Sequence, residues 1–126
     1  MKPNGKRILL AEDDRFLRRA CENCLSRKGY TMVLANDGAE ALELIRAQAP
    51  DLILLDLLMP KVTGMEVLRS LKSEEATRSI PVLILTNSSR DSDVKEILAL
   101  GANGYQIKAN LSLVELGNRV EQLLGK

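Results

Sequence analysis

The chain has 126 residues, 45% of them apolar, which is the size and composition of one domain with a single core, expected to span 1–126. Its 18 Lys plus Arg against 17 Asp plus Glu leave a net charge of +1, so charge gives no support to a nucleic-acid or membrane surface. Two cysteines and no histidine leave no basis for a disulfide framework or a His-containing zinc site.

The first seven residues are basic, as in a secretory leader, but the apolar run after them lasts only four residues before Glu12. No secretory segment fits there, and no stretch approaches the roughly 20 apolar residues of a membrane span. The chain is expected to be soluble and cytoplasmic.

The apolar run at 8–11 predicts a first strand. Phe16, Leu17, Ala20, Cys21, Cys24 and Leu25 then form one stripe of a helix over about 14–28, with Arg15, Arg18, Arg19, Glu22 and Asn23 on the other face and Gly29 as its stop. A second strand is predicted at 31–35. Asp37 followed three residues later by Glu40 marks the cap of a helix over about 37–48, which buries Ala41, Leu42 and Ile45 and ends before Pro50.

The third and fourth strands, 52–55 and 82–85, are apolar at consecutive positions, as strands covered on both faces must be. Between them a helix over about 64–73 presents Val67, Leu68 and Leu71. A fourth helix is predicted from Ser89 to Leu100, a fifth strand at 105–107, and a last helix from the cap pattern at Ser112 to Leu124. Strand–helix alternation with short connections implies an open parallel α/β sheet, doubly wound, whose ligands bind beyond the carboxyl ends of the strands.

At those ends stand Glu12 and Asp13, Asp56, Thr86 and Lys108. If the first and third strands are neighbours, three carboxylates share a small space, and their repulsion calls for a hard cation such as Mg²⁺. Lys108 supplies a fixed positive charge and Thr86 a hydroxyl, which suit an anion beside the metal. Asp56, at the centre, is the candidate nucleophile for phosphoryl transfer.

The runs Leu9-Leu10-Ala11-Glu12-Asp13-Asp14, Leu54-Leu55-Asp56-Leu57-Leu58-Met59-Pro60 with Gly64, Leu85-Thr86, and Gly104-Tyr105-Gln106-Ile107-Lys108 resemble the receiver domain of two-component response regulators over essentially the whole chain. The resemblance implies a flavodoxin-like receiver fold with strand order 2-1-3-4-5. It also implies that Asp56 accepts a phosphoryl group from a phosphohistidine on a histidine kinase or a histidine phosphotransfer protein. Asp13, Asp56 and the backbone carbonyl of Leu58 would hold Mg²⁺, with Glu12 acting through water. Lys108 would pair with the phosphoryl oxygen, Thr86 would move to it, and Tyr105 would turn inward. The population shift would cross the face of the fourth helix, fifth strand and fifth helix, toward a downstream protein, an output domain or a second copy.

Three positions depart from that family's pattern. Ala109 stands where proline usually follows the lysine, and a non-proline cis bond would cost about 3 kcal/mol. Asn87 replaces a small residue after Thr86, and Leu58 an often polar one. Leu58 also weighs against a haloacid-dehalogenase-like phosphatase, which places a second Asp two residues after its nucleophile, so no turnover of an external substrate is expected. A nucleotide binder would need a glycine-rich loop after the first strand, and Glu12 and Asp13 stand there instead. A receiver-like module acting without phosphorylation is the remaining alternative.

Several single residues have simpler readings. Asp14 alone is best explained as a helix cap, Cys21 and Cys24 as core packing, and Arg119 and Glu121 as a solvated face. Tyr105 fits either a switch or a core residue with its hydroxyl at the rim. Without histidine the chain cannot be the phosphohistidine donor, and only Gly125-Lys126 follows the last helix, so an output domain within this chain is not expected.

Overall fold

Apolar side chains on consecutive positions require cover on both faces, and the computed structural model, which describes residues 5–57, 59, 61–87 and 91–124, provides it. Strands β1 (Arg7–Ala11), β2 (Thr31–Ala35), β3 (Leu52–Asp56), β4 (Val82–Thr86) and β5 (Gly104–Ile107) alternate with helices α1 (Arg15–Arg27), α2 (Gly38–Gln48), α3 (Gly64–Ser73), α4 (Asp91–Ala99) and α5 (Leu113–Leu123). All strand pairs are parallel, in the order β2-β1-β3-β4-β5.

Alternate residues of the central strands feed two separate cores. Leu9, Ile53, Leu55, Val82 and Ile84 pack with Ala41 and Ile45 of α2, Val67, Leu68 and Leu71 of α3, and Ile97 of α4. On the opposite face Ile8, Leu10, Leu52, Leu54, Leu83 and Leu85 pack with Cys21 and Leu25 of α1 and Leu116 and Val120 of α5. Each such fully buried aliphatic side chain contributes about 1.5–3 kcal/mol, so the central strands are the most strongly determined part of the fold.

Capping follows the residue chemistry. The Asp14 carboxylate accepts from the amides of Phe16 and Leu17, Asp37 from Glu40 and Ser112 from Glu115. Thr63 and Glu66 close a reciprocal box at the start of α3. Gly29, at φ +98°, follows α1 in the left-handed conformation that a glycine adopts without strain.

The structure shifts several expected boundaries by a residue or two. Asp56 and Thr86 are the last residues of their strands, and α4 begins at Asp91, the Ser89 start lying outside the described residues. Leu42 is only half-buried. Phe16 does not join the core: it is 90% exposed, because it lies in the first turn of α1, where the buried line starts with Leu17 and continues through Cys21 and Leu25.

Cys21 is fully buried, and its thiol is pushed up to about 12, first by burial and then by the nearby Glu12 and Cys24. Cys24 is half-buried, with its Sγ 3.7 Å from the Leu113 carbonyl. A shift of this size leaves Cys21 a thiolate fraction roughly a thousandfold smaller than that of an ordinary thiol. Iodoacetamide at neutral pH is therefore expected to modify Cys24 first and Cys21 only after unfolding, as read by peptide mass spectrometry. Equal labelling of both in the native protein would contradict the burial of Cys21.

Candidate metal and phosphoryl site

The register of the sheet assembles the site. Ala11 pairs with Leu55, Asp56 with Leu85 and Thr86 with Ile107, so the residues just beyond these pairs crowd one edge. The Glu12 amide donates to the Ala35 carbonyl at 3.3 Å, which extends the β1–β2 ladder by one residue and places Glu12 beside the end of β3. Lys108 follows β5 directly, in a single 3₁₀ turn over Lys108–Asn110.

Glu12, Asp13 and Asp56 each offer a carboxylate oxygen, and these oxygens lie within 4.8 Å of one another. Glu12 and Asp56 are buried, while Asp13 faces solvent. The Lys108 ammonium reaches into this group, with Nζ 3.0 Å from Glu12 Oε2 and 3.4 Å from Asp56 Oδ2. Burial opposes the lysine charge, but the hydrogen bond and negative charge of Glu12, aided by Asp56, more than offset it, and the pKa is raised above the usual lysine value. Lys108 is thus a fixed cation at any physiological pH.

One lysine does not neutralise three carboxylates. Glu12 Oε2 accepts from both Lys108 and the Asp14 amide, yet Glu12 Oε1 is buried with no hydrogen-bond partner among the described residues. An unsatisfied buried carboxylate oxygen is costly. The oxygen-only donor set and its surplus negative charge fit a hard divalent cation with retained water.

Thr86 ends β4 beside β3 and is buried. Tyr105 lies two positions before the end of β5. It pairs with Ile84, is half-buried against the core on the α2–α3–α4 face, and lines a surface groove with Gln106, Ile107, Glu115 and Arg119. Arg119 lies half-buried against Gly104, not on an open face. The Leu58 carbonyl, assigned to the metal by resemblance, lies outside the described residues. No cis peptide bond occurs among the described residues, so Lys108–Ala109 is trans, the cheaper of the two outcomes for a non-proline residue.

How two residues shape this edge was not visible in the sequence. Arg18 Nη1 donates to the Glu12 carbonyl at 2.9 Å, and the Gly64 amide donates to the Leu57 carbonyl at 2.8 Å, folding the chain back under Asp56. Arg18 carried no signal beyond its place on the polar face of α1, and Gly64 only its place in the motif after Asp56.

The model of the response regulator receiver domain family matches residues 8–121. The chain belongs to this family. Receiver domains are signalling modules of two-component systems, and the alternative readings as a phosphatase or nucleotide binder are not favoured. Among relatives, the response regulator MprA of Mycobacterium ulcerans is 42% identical over 120 residues, which are 94% of this receiver domain and 50% of that protein. The chain thus spans half the length of the curated relatives it matches. The receiver domain of the Francisella response regulator 1452 superposes with a TM-score of 0.89 at 30% identity, covering 96% of this chain and 98% of that one. The receiver domain of the sensor histidine kinase PA1611 from Pseudomonas aeruginosa, with a magnesium ion coordinated in its active-site cleft, gives 0.87 at 30% identity, covering 97% and 99%.

Proposed function

We propose that this receiver domain takes up a phosphoryl group on Asp56 and signals through the face formed by α4, β5 and α5. The observation that carries the reading is the Lys108 ammonium set between Glu12 and Asp56 beside a Glu12 carboxylate oxygen that has no hydrogen-bond partner among the described residues. Asp13 and Asp56, with the Leu58 carbonyl, would hold Mg²⁺, and Glu12 would act through water. When bound, the ion neutralises the carboxylates and offsets the charge of the incoming phosphoryl oxygens.

The chain's own residues then do the rest. An Asp56 carboxylate oxygen attacks the phosphorus of a phosphohistidine, the P–N bond breaks, and the imidazole of the donor leaves with the electron pair while an acyl phosphate forms. Lys108, already 3.0 Å from Glu12 and 3.4 Å from Asp56, takes a phosphoryl oxygen as a third partner. The Thr86 hydroxyl moves to another oxygen, and Tyr105, half-buried at the mouth of its groove, follows inward. These shifts bias the α4–β5–α5 face between two populations.

The donor is a histidine kinase or a histidine phosphotransfer protein, and the receiver of the signal is a downstream protein, an output domain or a second copy meeting this face. The region 1–126 acts as one domain, without direct nucleic-acid contact and without turnover of an external substrate. A cytoplasmic setting is part of this reading; among the described residues no helix is long and apolar enough to cross a membrane.

The test is incubation with Mg²⁺ and a small acyl-phosphate donor. One added phosphoryl group is expected by mass spectrometry, lost on chelation of the metal. Asp13→Ala should weaken Mg²⁺ binding by about tenfold or more in a calorimetric titration. Unchanged affinity would remove Asp13 from the metal site.

A further inference from the structure

Three residues connect β1 to α1, and two of them are fastened at several points. Glu12 is held at its amide by Ala35, and at its side chain by Lys108 and the Asp14 amide. Asp14 is held by that same bond and by capping the amides of Phe16 and Leu17. Asp13, between them, is exposed, and among the described residues no hydrogen bond holds its carboxylate. Its direction is therefore set through the backbone on either side.

The Glu12 carbonyl and the Asp13 amide belong to one planar peptide unit, so fixing the carbonyl fixes the plane from which the Asp13 side chain departs. Arg18 does this: its Nη1 donates to the Glu12 carbonyl at 2.9 Å from one turn inside α1. A charge-assisted bond from a planar guanidinium is both strong and directional. We propose that Arg18 is a positioning residue, which orients the Glu12–Asp13 peptide so that Asp13 faces Asp56 as a metal ligand. The inference rests on the metal reading proposed above.

The sign of the effect separates positioning from plain electrostatics. A guanidinium near a cation site repels the cation, so deleting it as a mere surface charge should tighten Mg²⁺ binding. Deleting it as a positioning group should loosen binding, as loss of outer support does at metal sites.

The experiment compares Mg²⁺ affinity by calorimetry for the parent, Arg18→Met and Arg18→Lys, with thermal unfolding of each metal-free protein to show that all are folded. Arg18→Met, which keeps length and helix propensity, is expected to bind Mg²⁺ about tenfold more weakly, although a positive charge is lost. Arg18→Lys, which keeps a charged donor, should fall between the two. Equal or tighter binding by Arg18→Met, with the parent binding normally, would overturn the role of Arg18 alone. A parent that binds no Mg²⁺ would overturn the metal reading and this inference with it.

Discussion

Asp56→Asn is expected to abolish phosphoryl uptake, with the rate of labelling by an acyl phosphate falling on the order of 10⁴-fold or more, the scale of loss when a nucleophile is deleted. An amide oxygen carries no full negative charge to attack phosphorus and is a weak metal ligand. Stability should move little, or even rise by up to about 1 kcal/mol. The substitution removes one of three mutually repelling carboxylates while Lys108 keeps its 3.0 Å bond to Glu12. Mass spectrometry reads the first effect and denaturant unfolding the second. Labelling of Asp56→Asn at the parent's rate would move the acceptor to another residue, and the exposed Asp13 would be the first to test.

Gly64→Ala is expected to lose about 3 kcal/mol or more of folding stability, a large share of what a domain of this size possesses. Gly64 begins α3 directly beneath the end of β3. A methyl group there would press on the Asp56 carbonyl and stand 2.6 Å from Leu57 Cα and 2.9 Å from the Asp56 carbonyl carbon. All of these are backbone atoms, which cannot swing aside as a side chain can. Relief would require lifting the chain just after Asp56 and stretching the bond of the Gly64 amide to the Leu57 carbonyl. Phosphoryl uptake should therefore slow in the same variant, because the carboxylate moves with its backbone. Urea unfolding measures the first effect, and a loss below about 0.5 kcal/mol would show that the loop relaxes freely.

The elements were legible because their determinants are local. Val82, Leu83, Ile84 and Leu85 are apolar in unbroken succession and are all fully buried, as only a strand covered on both faces can be. Asp14, Asp37 and Ser112 cap the helices that their positions implied, since a short polar side chain finds free amides at any helix start. Phe16 shows where the pattern misleads. It fits the apolar stripe of α1 by spacing, but a stripe cannot reveal where the sheet beneath it ends.

The candidate site was legible as a set of residue types at strand ends, and the family motif sharpened it to Asp56, Glu12, Asp13, Thr86 and Lys108. Their arrangement was not. That Lys108 binds Glu12 more closely than Asp56, that Glu12 Oε1 has no partner among the described residues, and that Arg18 holds the loop before Asp13 all depend on contacts between distant parts of the chain. Tyr105 was open between a switch and a core residue with its hydroxyl at the rim, and its half-buried place against the α2–α3–α4 core appeared only with the register of β5 against β4.

Which segments become strands and helices, which faces they bury, and which polar groups stand at the carboxyl ends were all readable from local pattern. Those outcomes follow from side-chain periodicity and capping, which act within a few residues. That β1 lies beside β3 came from the family resemblance and from no local pattern, and the contacts it creates, Glu12 meeting Asp56 across 44 residues of chain with Lys108 spanning both, were visible only in three dimensions. Strand order is set by how helices cover two faces of a twisted sheet, and no local pattern encodes the distances that result.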